Sequence, residues 1–231
     1  MQVDRHHPAR LGDETLDVAV VIDVLRATST AVVLLAKGAK GLAVVASPAG
    51  LSLLSADEGP YLYVSEFSQL AAQGDRIDNS PVQAEQLQLA GRTAVLITTN
   101  GTRALDAAAS RSTQVLVASF LNVTAVARHL ERIKARRVTL LPAGDFEKGE
   151  TRPEDELCAD ALEQLLSGGR PDLKSLAEAC RNHARIERRI LAETGFAADL
   201  ELCLSSDRYP VVPSYQSRAP GLGWLSLELA N

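Results

Sequence analysis

DVAVVID, residues 17–23, decides how the rest of the chain is read. Between its two aspartates runs an unbroken apolar stretch rich in β-branched residues. A strand with one wet face would alternate apolar and polar positions, so this one is expected to be buried on both faces, with helices on either side of its sheet. TSTAVVLLAKGA (28–39) follows as a helix, with Thr28 or Ser29 able to cap it and Gly38 near its end. LAVVAS (42–47), YLYVS (61–65), AVLITT (94–99), QVLVAS (114–119) and RVTLLPA (137–143) read as further strands, and helical patterns alternate with most of them. That alternation predicts a three-layer α/β/α fold with a largely parallel or mixed sheet.

Beyond residue 150 the pattern turns helical. EDELCADALEQLLSG (154–168) is amphipathic, and DLKSLAEACRNHARIERRILAETG (172–195) reads as one long charged helix whose Arg181, Arg185, Arg188 and Arg189 form a solvated face. DLELCLS (199–205), YPVVPSY (209–215) and WLSLELA (224–230) read as short extended or irregular segments, with an edge strand and a return across the sheet.

With 231 residues, 46% apolar, the chain is long enough to bury a substantial core, and one α/β domain over 1–231 is expected. No apolar run reaches the ~20 residues of a membrane helix, and the first residues lack a signal-peptide hydrophobic region, so a cytoplasmic protein without a membrane partner is expected. Three cysteines without CxxC spacing suit a reducing compartment. A net charge of −5 argues against a nucleic-acid partner, so positive charge for an anionic ligand must be local.

Two stretches resemble each other. AVVIDVLRA (19–27) and AVLITTNGTRA (94–104) both run from an apolar strand into Asp/Asn-x-x-Arg-Ala and then a helix, which aligns Asp23 and Arg26 with Asn100 and Arg103. An ancient duplication, with halves near 17–90 and 91–231, would bring two such loops to one cleft; chance is its rival. Ligands of open α/β sheets sit beyond the strands' carboxyl ends, where helix N-termini offer unpaired N–H groups and partial positive charge. Arg26 and Arg103 add guanidinium forks for an oxyanion. Thr28, Ser29, Thr30, Thr99 and Thr102 add hydroxyls, and Gly101 lets the backbone approach closely. The competing reading makes Asn100-Gly101 a turn and Thr102 a cap. In DNSPVQAEQ (78–86), Ser80 and Pro81 fit the N-cap and first position of a helix, which leaves Asn79 unexplained.

Asp23, Glu66, Glu154 and Asp155 are candidate carboxylates for Mg²⁺, which prefers oxygen ligands. Glu154 has a structural alternative, since Thr151 and Glu154 have capping-box spacing, and Asp155 would suit a helix's first turn. Glu66 could be solvated. Asp23, directly after VAVVI, is the hardest to dismiss, because a desolvated carboxylate needs a partner. GxxxxGK[ST] and GxGxxG are absent from the sequence, the DVLRAT loop lacks a second Asp at DxD spacing, no cysteine precedes an Arg at phosphatase spacing, and the histidines form no HExxH or close cluster.

As an ordered set, VIDVLRATST (21–30), DNSP (78–81), TTNGTRAL (98–105), PEDELCADAL (153–162) and CLSSDRYPVVP (203–213) resemble the blocks of the 2-phosphosulfolactate phosphatase family. The resemblance departs at Ser65-Glu66-Phe67, where the family has Gly-Glu-Arg, and at Asp78, where it has Gly. It implies a Mg²⁺-dependent phosphatase of coenzyme M biosynthesis acting on a small anionic phosphorylated substrate. Asp23, Arg26, Arg103, Glu154 and Asp155 would then be catalytic. Asp23, Glu66, Glu154 and Asp155 would supply the metal ligands, and Thr28, Ser29, Thr30, Asn79, Ser80, Asn100, Gly101 and Thr102 the substrate contacts. A phosphohydrolase with another small substrate and a non-catalytic anion-binding relative are the alternatives. A homo-oligomer is left open.

Overall fold

A computed structural model of the protein describes residues 1–55, 59–67 and 74–228. Most of the loop after Ser65-Glu66-Phe67, residues 68–73, and the end of WLSLELA lie outside the described residues.

The VAVVI run is the heart of strand β2 (Leu16–Ile22), with Ala19 to Ile22 wholly buried. It lies parallel between β7 (Ser112–Ala118) and β8 (Arg137–Pro142), and β1 (Gln2–Arg5) adds a parallel strand outside β8. A second parallel block is built from β3 (Gly41–Val45), β6 (Thr93–Ile97), β4 (Tyr61–Ser65) and β5 (Arg76–Ile77). Between the blocks sits the hairpin of β9 (Pro213–Ala219) and β10 (Leu222–Leu227), antiparallel to β7 on one side and β3 on the other. The result is one mixed sheet of ten strands, ordered β1-β8-β2-β7-β9-β10-β3-β6-β4-β5. Each block draws strands from both sequence halves suggested by the internal similarity, since β2 leads across to β3 and β6 leads back to β7.

The C-terminal segments therefore depart from expectation: β9 and β10 are central, not an edge. Three successive antiparallel pairings leave the two parallel blocks running in opposite directions, and the hairpin is what joins them. DLELCLS is not extended either. It belongs to helix α8 (Phe196–Cys203), whose Phe196, Asp199, Leu200 and Cys203 are buried at helical spacing. The long helix expected over 172–195 is two, α6 (Leu173–Arg181) and α7 (Ala184–Ala192). Extended backbone at His183 interrupts it, and the His183 ring accepts the Arg185 N–H as a new cap.

Helix α1 (Ala27–Ala36) is buried from Ala27 to Leu35, so it has no wet face. Side chains from both blocks pack on it, including Val21, Val44, Leu96 and Val117, together with Leu105 of α3 (Gly101–Ala109). β2 and β6 are five strand positions apart, about 24 Å in a flat sheet. Yet a Cβ on Gly101 would lie 2.7 Å from Asp23 Oδ2 and 2.5 Å from Ala27 Cβ. The short link from Ile97 to Gly101 cannot bridge such a gap, so the sheet must curl around α1 and α3 and bring its two loops together. On the opposite face of the first block, α4 (Val123–Arg132), α5 (Pro153–Leu166) and α8 cover Val20, Ile22, Leu116 and Leu140. No helix of the described residues is long and apolar enough to cross a membrane.

Candidate active site

Asp23 stands one residue beyond β2, 7% exposed, where the curled sheet presses the start of α3 against the start of α1. Its Oδ1 accepts the Ala27 N–H, and the Gly101 N–H also donates to its carboxylate. Desolvation outweighs these bonds, and the charges of Glu66 and Glu154 add to it, so the Asp23 carboxyl is pushed up from 3.8 to about 7. Asp155, 2% exposed in the first turn of α5, accepts the N–H groups of Val24 at Oδ1 and Gly144 at Oδ2. Burial, with Asp23 and Glu154 close by, also raises its pKa. A carboxylate that would merely suit a helix dipole is thus a clamp between the β2 and β8 loops.

Glu154 is equally buried, and its Oε1 accepts from Arg185 Nη1 of α7 at 2.7 Å. Its Oε2 is buried without a hydrogen-bond partner among the described residues. The capping box with Thr151 does not form, because the N-cap of α5 is Arg152, without a side-chain bond, and Pro153 follows it. Glu66 is exposed and accepts the Thr99 N–H at 2.6 Å, which ties the end of β4 to the loop after β6.

The hydroxyls mostly serve the loops themselves. α1 begins two or three residues earlier than a Thr28 or Ser29 cap requires, with Arg26 as its N-cap. Thr28 Oγ1 therefore donates to the Asp23 carbonyl and accepts the Asp23 N–H, while Ser29 Oγ donates to the Val24 carbonyl. Thr102 and Thr98 are bonded reciprocally, with Thr102 Oγ1 donating to the Thr98 carbonyl. Thr30 Oγ1 is buried without a partner among the described residues. Asn100 Oδ1 accepts the Phe146 N–H, and Arg103 lies over the Phe146 ring at 4.6 Å, so the loop after β8 meets both. Arg103 has no carboxylate partner among the described residues.

Arg26 is held differently. Its Nη1 is 2.5 Å from Asp199 Oδ2 of α8 and its Nη2 is 3.1 Å from Asp78 Oδ2. Asp199 also accepts from Ser80 Oγ and the Val82 N–H. Ser80 caps α2 (Pro81–Gln86) as its position suggests, with Pro81 first in the helix. Asn79 is buried, and its Oδ1 has no partner among the described residues.

Asp23, Glu66, Glu154, Asp155, Asn100 and Gly101 therefore converge around the junction of the two loops, with Arg103 beside them. Arg26, Asn79 and Ser80 form an adjoining network around Asp199. Sequence reading missed Asp199, Arg185, Thr98 and Phe146. A helical reading of DLELCLS would have exposed Asp199 as an acid on an apolar face; nothing local marks Arg185, whose partner is distant in sequence.

Among the described residues no three His, Cys, Asp or Glu side chains close in tightly enough to enclose an ion. The donor set still fits Mg²⁺ held by one or two carboxylates, with water and substrate oxygens completing its shell: Glu154 Oε2 is an orphaned buried acceptor, and Asp23 is poised beside it. The three cysteines are buried, and burial pushes Cys180 and Cys203 up to about 12, which rules them out as thiolates at neutral pH.

The model of the 2-phosphosulpholactate phosphatase family matches residues 5–218. A probable 2-phosphosulfolactate phosphatase of Thermotoga petrophila is 33% identical over 85% of this chain and 88% of its own. Its counterpart in Thermotoga maritima is also 33% identical, with the same coverage, and that of Synechococcus sp. (strain RCC307) is 32% identical over 96% of this chain and 98% of its own. Matched along nearly its whole length, the chain belongs to the 2-phosphosulpholactate phosphatase family and is a phosphoric monoester hydrolase.

Proposed function

We propose that the protein hydrolyses the phosphate ester of 2-phosphosulfolactate, or of a similar small phosphorylated hydroxy acid, with Mg²⁺ as cofactor. The observation that carries this reading is the contact of Gly101 with Asp23, which places a proton-carrying carboxyl between the two Arg-bearing loops. With its pKa near 7, Asp23 holds or releases a proton at neutral pH, as a group that deprotonates the attacking water or protonates the leaving alkoxide must. Arg103 is free of carboxylates among the described residues, which supports a role for it in binding phosphoryl oxygens as charge builds on them. Asp155 fixes the Val24 and Gly144 backbone, so the Asp23 loop keeps its geometry. Glu154 and Glu66 would hold Mg²⁺, with waters and substrate oxygens completing its shell; when bound it lowers the pKa of a water and offsets phosphate charge. A role in coenzyme M biosynthesis is supported by the resemblance of the sequence blocks, and a cytoplasmic location by three cysteines without CxxC spacing.

The test is phosphate release from 2-phosphosulfolactate with Mg²⁺, with a chelator, and with Arg103→Ala. Mg²⁺-dependent release is expected, and Arg103→Ala should lose roughly 10²- to 10³-fold in kcat with an unchanged melting temperature. Wild-type turnover in Arg103→Ala, or no release from any ester of the class, overturns the reading.

A further inference from the structure

Arg26 faces two carboxylates of different standing. Asp199 is 3% exposed and is tied down by Ser80 and the Val82 N–H, so it belongs to the frame. Asp78 is 42% exposed at the rim, immediately after β5, and bonds only the outer nitrogen, Nη2, of the guanidinium. Arg26 itself is 10% exposed. Its Nη2, which makes no bond to Asp199, is therefore covered by a solvent-facing carboxylate of the chain. The three groups together carry one net negative charge, where Arg26 and Asp199 alone would be neutral. Beside them Asn79 is buried with an orphaned Oδ1, so the patch has polar capacity that the fold leaves unused.

We propose that Asp78 is a specificity-determining residue. Its carboxylate stands on Arg26 where a second non-phosphate anionic group of a substrate would bind, so the protein favours phosphate monoesters carrying one further anionic group over those carrying two. The proposal rests on the phosphatase reading for its kinetic arm only. An incoming sulfonate or carboxylate must displace Asp78 from Nη2 and then lie beside it, and like charges at that distance repel. A substrate with a single carboxylate has no need of this place.

The experiment compares 2-phospholactate, with one further anion, and 2-phosphosulfolactate, with two, on the wild type, Asp78→Asn and Asp78→Glu. The wild type and Asp78→Glu should prefer 2-phospholactate. Asp78→Asn should shift the ratio of kcat/KM toward 2-phosphosulfolactate by about 10- to 100-fold, the scale of one charge-assisted contact, with the change in KM. A purely structural Asp78 would move both esters together, and that result overturns the proposal. Calorimetric binding of sulfoacetate against acetate supplies an arm that needs no turnover. Sulfoacetate alone should bind tighter to Asp78→Asn, and equal affinities in the two proteins refute the proposal even where neither ester is hydrolysed.

Discussion

Asp23→Asn removes one charge from the most consequential position in the chain, and its effect on stability can be worked out from the structure. The folded protein holds the Asp23 proton with a pKa of about 7, while the unfolded chain releases it at the ordinary 3.8. Below about pH 4 the group is protonated in both states and has no effect. As pH rises from there the unfolded state loses the proton first, so folding is progressively disfavoured, and the full penalty is present above pH 7. At ~1.36 kcal/mol per tenfold in proton affinity the penalty approaches roughly 4 kcal/mol. Asparagine retains an oxygen for the Ala27 and Gly101 N–H groups, and its amide can donate to the neighbouring carboxylates. We therefore expect Asp23→Asn to be inactive yet more stable than the wild type at pH 8, by about 2 to 4 kcal/mol, which for a chain of this size is roughly 4 to 16 °C in melting temperature. Urea denaturation at pH 5 and pH 8, with a chelator present so that no divalent cation neutralises the carboxylates, measures it. The gain should shrink at pH 5, where the wild-type group is protonated in the fold. A variant no more stable than the wild type at pH 8 would refute the assignment of Asp23 as a desolvated acid.

Two further substitutions probe the junction. Gly101→Ala places a Cβ 2.5 Å from Ala27 Cβ and 2.7 Å from Asp23 Oδ2. Although alanine favours the helix by ~1 kcal/mol, a net loss of about 1 to 3 kcal/mol and at least tenfold in kcat is expected, and a stable, fully active variant would mean the two loops do not meet as described. Arg185→Ala strands Glu154, 2% exposed, without its cation, so urea unfolding should show a loss of roughly 2 to 3 kcal/mol that Glu154→Gln in the same chain largely restores. Additive losses in the double variant would show that the pair is not coupled.

The architecture was legible where local pattern and burial agree. The continuous VAVVI run, the LAVV, YLYV and AVLI strands and the Ser80-Pro81 helix start all read correctly, because strand burial and capping are written in neighbouring residues. The errors share a physical origin. DLELCLS alternates like a strand, yet its Phe196, Leu200 and Cys203 find a common apolar surface only as a helix, and His183 breaks a run whose charges looked continuously helical. Asp23 showed itself as an acid on an apolar strand, but that Glu154 would be buried against Arg185 rather than capping its own helix depends on how α7 packs.

By itself, the sequence determined an α/β chain with two similar strand-to-helix loops and an ordered set of family blocks, since strand period, turn chemistry and helix starts are local properties. Only the tertiary structure decided that the β9–β10 hairpin would join two oppositely directed parallel blocks and that the sheet would curl around α1 and α3. That curl brings Gly101 against Asp23 across five strand positions and desolvates the carboxyl to a pKa near 7. Proximity and desolvation belong to the packed interior as a whole, and no stretch of sequence carries them alone.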